Sequence, residues 1–332
     1  MTFEGSICYH IRPSKNLALS YCGVVSVGFV LGLYLFVPAS VRSLPRSNTR
    51  QIKWRLFATA IVAMTATISY PFLFCSTSAA RKNDMFINSY EPVHVYLGWN
   101  WDAFRDLTVL LHTIQLFLGP LIVSLSMIPV EANSCLGKKE KGHPILMYIS
   151  ILRTRFQSLF LGGWSRVRDY AAAPLFEEFV FRGLLCSPLL ASGLSPTQVV
   201  FIAPMFFGTA HIHHAILKLR SGEDPPLVIA QTILQLTYTS LFGMYATYAF
   251  IQTGSVMSVT LSHIFCNIMG LPDIGFMHKP SHRSGPLDLS QLYPYRYLLL
   301  FSYILGIYLF IQGFTNDIIF DKGNGFKAFF PS

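Results

Sequence analysis

The chain reads as an all-α, polytopic integral membrane protein of about eight transmembrane helices. Three observations predict this. The 332 residues are 52% hydrophobic and only 12% charged, and mean hydropathy is positive, whereas soluble domains carry about a quarter charged residues. Long stretches lack any Asp, Glu, Lys or Arg. The basic residues gather between those stretches instead of forming one stripe.

Crossing the hydrocarbon of a bilayer takes about 20 mainly apolar residues in a helix. Residues 16–41, 56–80 and 107–130 meet that length without a charge. The first is long and lacks a small-residue cleavage site, so it reads as a span and not a removed leader. A fourth span runs from about 168 to 190. The turn signal SGLSP at 192–196 closes it and opens a fifth, which reaches Leu217. Residues 225–272 again lack charge and suffice for two spans, with a turn expected at QTGS, 252–255. Residues 297–316 make the last. Segment 145–163 is apolar but interrupted by Arg153 and Arg155, which predicts an amphipathic helix in the interface. The six scattered cysteines form no CxxC pair and predict neither a disulfide framework nor a thiolate metal site. No internal repeat is evident.

The net charge of +9 fits membrane flanks better than a nucleic-acid surface, so no nucleic-acid partner is expected. Loop 41–55 carries Arg42, Arg46, Arg50, Lys53 and Arg55 with no acid. Loop 131–169 carries Lys138, Lys139, Lys141, Arg153, Arg155, Arg166 and Arg168 against three acids. Eight spans place both loops on one side, which the positive-inside rule makes cytosolic. Loop 81–106 is nearly balanced and falls opposite.

Against this background the stretch PLFEEFVFRGLL, 174–185, stands out, because charges inside a bilayer cost a few kcal/mol even on lenient scales. Glu178 and Arg182 share a helix face at i, i+4 and can pair, while Glu177 points about 100° away and stays available as a base. Three further groups lie in apolar surroundings: His211, His213 and His214 near the end of the fifth span, and His263 with Asn267 in the seventh. Depth can be counted at about 1.5 Å per residue from the flanking charges. Glu177 lies roughly 14 Å beyond Arg168, and His211 roughly 10 Å before Lys218. His263 and Asn267 lie roughly 15 and 9 Å before Asp273. All four fall in the cytosolic half, on three different spans.

Each group also has a plainer reading. A Glu–Arg pair can be interhelical glue, His213 and His214 can simply bond a neighbouring helix, and Asn267 can be packing. A carboxylate, two histidines and an amide at one depth point instead to a catalytic centre. HExxH and GxSxG are absent, as are paired intramembrane aspartates, which disfavours the corresponding hydrolases. A carboxylate acting as general base on water, with His and Asn donors for the oxyanion, needs no metal or other cofactor. A metal held by His211, His214, His263 and Glu177 is the alternative chemistry.

EEFVFR (Glu177, Glu178, Arg182), FGTAH (Phe207 to His211) and HIFCN (His263 to Asn267) resemble, in order, the EExxxR, FxxxH and HxxxN motifs of the type II CAAX prenyl endopeptidases. The eukaryotic members are the better likeness. The resemblance covers about 165–275. It implies a glutamate-dependent protease of the endoplasmic reticulum membrane, multi-pass, with its active site open to the cytosol. Such an enzyme removes the last three residues from prenylated CAAX proteins such as small GTPases, so these proteins and membrane lipid are the expected partners. Glu177 and His211 would activate water, His263 and Asn267 would hold the oxyanion, and Glu178 and Arg182 would support them. Four regions follow: a three-span part without motifs, 1–130; a basic cytosolic loop with the amphipathic helix, 131–167; the catalytic core with its intramembrane cavity, 168–275; and the last span with the tail, 276–332. A proton-coupled transporter and a non-catalytic membrane scaffold are the rival functions.

Overall fold

The computed structural model describes residues 7–10, 12–76, 91–136, 144–209, 212–281, 285 and 288–315. The chain begins with strand β1 (Ile7–His10) and helices α1 (Lys15–Leu35), α2 (Ala39–Arg42) and α3 (Thr49–Phe74). Ser14 caps α1 by accepting from Leu17 N, and Asn48 caps α3 by accepting from Arg50 N. Gly32 of α1 lets the two pack closely, since a Cβ there would come within 2.6 Å of the Val62 side chain, and Tyr21 OH donates to Ala66 O at 3.3 Å.

Strands β2 (Cys75–Ser76) and β3 (Glu91–Pro92) flank β1 in a small antiparallel sheet, with His10 opposite Cys75 and Cys8 opposite Glu91. Cys75 is disulfide-bonded. The expectation of no disulfide is corrected here for Cys75, since cysteine spacing does not reveal which segments meet in space. Cys22, Cys186 and Cys266 are free.

After α4 (Val93–Tyr96) come α5 (Ala103–Leu116) and α6 (Leu118–Leu136), which bend by 72° at their junction. Then follow α7 (Pro144–Phe160) and α8 (Gly163–Val167). Helix α7 covers the segment expected to be amphipathic, and its Arg155 holds α6 through Glu131 and the Ser124 carbonyl. Residues Arg168–Ala191 form one helical rod in which α9 (Ala173–Glu178) and α10 (Leu185–Ala191) follow π turns at Arg168–Ala172 and Phe179–Leu184. The remaining helices are α11 (Pro196–Thr209), α12 (Ile212–Arg220), α13 (Pro225–Thr253), α14 (Val256–Met269) and α15 (Arg296–Gly313), the last entered through a 3-10 turn at Leu289–Tyr295.

Both expected turns are where the sequence put them. Gly193 lies in the turn before α11, and Gly254 ends α13 at φ 63°, a left-handed position that disfavours side chains. Ser255 then caps α14 by accepting from Ser258 N.

Helices α1, α3 and α13, and the stretch Leu289–Gly313, are each long and apolar enough to cross a membrane. The bent pair α5–α6 makes a fifth if it is one span. The other expected crossings fall on segmented or short helices: the π-interrupted rod, α11 followed by α12, and the 14-residue α14. Their surroundings explain this. Residues 178–192 are buried without interruption, so neighbouring helices, and not lipid, must satisfy an irregular backbone there. Large apolar side chains are instead exposed on the outer helices, Phe72 at 83% among them. An exposed belt of that kind fits hydrocarbon and not water.

Candidate active site

The first π turn of the rod 168–191 runs into Pro174. Pro174 lacks the N–H that would continue the α pattern, and Ala173 N–H reaches back five residues to Arg168 O. The second π turn ends with Leu185 N–H on Arg182 O, and Pro188 lies further on inside α10. Such widened turns recur at functional sites. Gly183 lies in the second one because a Cβ there would come within 2.6 Å of the Leu97 carbonyl oxygen.

Between the two π turns sit the glutamates. Glu178 is fully buried and paired with Arg182, Nε to Oε2 at 3.1 Å and Nη1 to Oε1 at 3.2 Å. The i, i+4 pairing expected from the sequence is thus formed. The Phe207 and Phe242 rings flank the guanidinium at 5.0 and 5.9 Å, which adds a cation–π attraction in a dry setting. Helix α14 brings His263 against the same carboxylate, Nδ1 to Glu178 Oε1 at 2.7 Å. A carboxylate paired with arginine accepts, so Nδ1–H donates. The opposite ring nitrogen, Nε2, then faces Glu177 Oε2 at 3.8 Å. His263 therefore stands between both glutamates. Of the two, Glu177 is the accessible one, with 26% of its side chain exposed against none for Glu178.

Asn267 lies one turn further along α14, exposed, and donates from Nδ2 to the Asp169 carbonyl at 2.9 Å. The Asp169 side chain is gripped by Arg168 at 2.6 and 3.0 Å. One amide proton of Asn267 thus ties α14 to the start of the glutamate rod. His211 lies outside the described residues, between the end of α11 and the start of α12. The Phe207 that begins its motif is buried and edge-on to Phe181 at 5.0 Å. His213 is half-buried, edge-on to Tyr34 at 6.3 Å. Among the described residues, no three His, Cys, Asp or Glu side chains are grouped to hold a metal.

Behind α14 runs a polar network that the sequence reading missed. Buried Asp106 of α5 accepts from Ser258 at 2.5 Å, and Thr113 donates to Ser262 at 2.9 Å. Thr113 also meets Tyr245 at 2.8 Å, whose hydroxyl is 3.3 Å from His112 Nδ1. His112 Nε2 meets the Phe310 carbonyl at 2.7 Å. His112, isolated in the sequence, is a junction of α5, α13 and α15. The available signal was the run of Ser and Thr at one-turn spacing on α14, which apolar helices use to bond across their interfaces.

An all-α membrane protein that closes two glutamates, an arginine and a histidine inside its helices has the makings of a glutamate-type integral membrane peptidase. Residues 160–269 match the family described as type II CAAX prenyl endopeptidase Rce1-like. CAAX prenyl protease 2 of Homo sapiens is 34% identical over 312 residues, 90% of this chain and 84% of that protein. The proteins of the same name from Arabidopsis thaliana and Saccharomyces cerevisiae are 29% and 28% identical, over 78% and 79% of this chain and 81% of each relative. No solved structure matches the chain. The chain belongs to the type II CAAX prenyl endopeptidase family.

Proposed function

We propose that the chain removes the C-terminal tripeptide from prenylated CAAX proteins, small GTPases among them, by adding water across the peptide bond that follows the prenylated cysteine. The observation that carries this reading is His263 held between a sealed, arginine-paired Glu178 and an accessible Glu177. Glu177 takes a proton from water as the water oxygen attacks the carbonyl carbon, with His211 as the second activating group that the family motif implies. The carbonyl becomes an oxyanion, stabilised by donors aimed at it. The C–N bond then breaks, and the proton passes to the leaving amine. For Nε2 of His263 to donate to the oxyanion the ring must carry both protons, and the Glu178 carboxylate at 2.7 Å compensates that charge. Asn267 has a second amide proton to offer, the first being held by Asp169.

The reading places the protein in the endoplasmic reticulum membrane with the centre open to the cytosol. Two observations support the orientation. The basic loop between α1 and α3 meets Arg168 at the mouth of the rod, Arg168 Nη1 donating to Arg46 O at 2.8 Å. The disulfide-bonded Cys75 lies at the other end, next to β1, where an oxidising lumen lets such bonds persist. A lipidated substrate partitions into the bilayer at about 0.8 kcal/mol per buried CH₂, while its peptide arrives from the cytosol.

The test is purified protein with a farnesylated CAAX peptide. Release of the intact C-terminal tripeptide is expected, and the unprenylated peptide should be cleaved far more slowly. Equal handling of both peptides, or no tripeptide from either, removes the proposal.

A further inference from the structure

Beside the mouth of the rod, between the α1–α3 loop and α12, lies a cavity of about 590 Å³. Ligand sites commonly measure about 300–1,000 Å³. Arg42, Arg46, Arg55 and Lys218 line it against one acid, Glu223. Arg42 and Arg55 form no ion pair among the described residues. The cavity is therefore net positive and suited to an anion. Leu33 and Leu217 supply apolar wall beside those charges. Guanidinium forks match a carboxylate with two parallel hydrogen bonds.

The cavity is linked to the start of the glutamate rod. His213, which lines it, follows His211 by two positions. Arg46, also in the lining, is bonded to Arg168. Arg168 precedes Glu177 by nine residues, about 14 Å of helix. Three residues of extended peptide reach about 10–11 Å. The cationic cavity thus opens at the end of the rod that leads to the proposed base, at the scale of a short peptide.

We propose that this cavity binds the free C-terminal carboxylate of the substrate and so sets the cut three residues before the chain end, with apolar wall for the aliphatic side chains between. The proposal rests on the peptidase reading above. Its contact with the residues that open the glutamate rod favours a peptide end over a lipid headgroup, which is the competing anion.

The experiment compares a prenylated CAAX peptide acid with the same peptide carrying a C-terminal amide, on wild type, on R42Q at an exposed position, and on R55Q with R55K as the charge-keeping control. Wild type should show a KM about tenfold higher for the amide, the loss of one charge-assisted contact. R42Q and R55Q should raise KM for the acid and bring the acid–amide ratio close to one, with R55K intermediate. An acid–amide ratio unchanged in both Gln variants overturns the proposal, as does a wild type indifferent to the amide. A defect in R42Q that appears only when the vesicles contain anionic lipid, with the ratio intact, assigns the cavity to a lipid headgroup and also overturns it. Failure of the underlying peptidase reading is separate: wild type would then cleave neither peptide.

Discussion

Adjacent glutamates in this chain differ by what surrounds them, not by what they are. Glu178 is sealed between Arg182 and His263, and Glu177 keeps a quarter of its side chain open. Glu177→Gln should leave thermal stability unchanged and lower turnover by about 10²–10⁴, the usual worth of a general base. Near wild-type turnover would take Glu177 out of the mechanism. Glu178→Gln should behave differently, because it strands the buried Arg182 and breaks the His263 contact. Losing one partner of a buried pair costs about 3–5 kcal/mol, so a clear fall in melting temperature should accompany any fall in kcat. Asn267 is the sharper case, since its amide already serves Asp169. As an oxyanion donor, Asn267→Ala should lower kcat by about 10²–10³ with little change in KM for the prenyl peptide. Asn267→Asp should be at least as damaging, since it sets a carboxylate against both the Asp169 carbonyl and the developing oxyanion. Loss of folded protein with normal kcat per folded molecule would make Asn267 an interhelical tie only.

At the scale of elements, the centre depends on how α14 is held. It starts against the segment before α5, Val256 N donating to Gly98 O at 2.9 Å, and ends on the glutamate rod through Asn267. Along its length Ser258 and Ser262 bond α5. These contacts fix the height at which His263 meets Glu178. Ser258→Ala should leave Asp106 buried without that donor and cost about 1–3 kcal/mol. A lower melting temperature in detergent is the expected reading, together with a reduced kcat, because α14 would sit less firmly. A variant with wild-type melting temperature would show that Asp106 is satisfied without Ser258.

Across the whole molecule, outer helices bear apolar side chains outward while the segmented rod and short α14 stay inside. Such an arrangement lets broken helices carry charge without meeting lipid. If the hydrolysis is metal-free, prolonged exposure to a strong chelator should leave turnover intact. Loss restored by zinc alone would favour ligands from His211, His214, His263 and Glu177 instead. The orientation has its own check. In sealed microsomes, Cys75 should resist an impermeant thiol reagent after reduction by a permeant one, and should react once the vesicles are opened. Labelling of Cys75 in intact microsomes would invert the topology.

The all-helical membrane class, the turns at Gly193 and Gly254, and the meeting of the EExxxR and HxxxN helices were legible in the sequence. Each depends on local chemistry: apolar run length, left-handed glycine, and charges too costly to leave unpaired in lipid. Depth counting set Glu177 and His263 at one height, and His263 Nε2 stands 3.8 Å from Glu177 Oε2. What sequence could not supply was everything set by which helix neighbours which. Cys75 proved disulfide-bonded, His112 found its place among α5, α13 and α15, and His263 came to lie between two glutamates rather than simply beside Asn267. Those arrangements come from packing between segments distant in the chain, and one-dimensional spacing fixes the face a residue occupies but not the partner that face will meet.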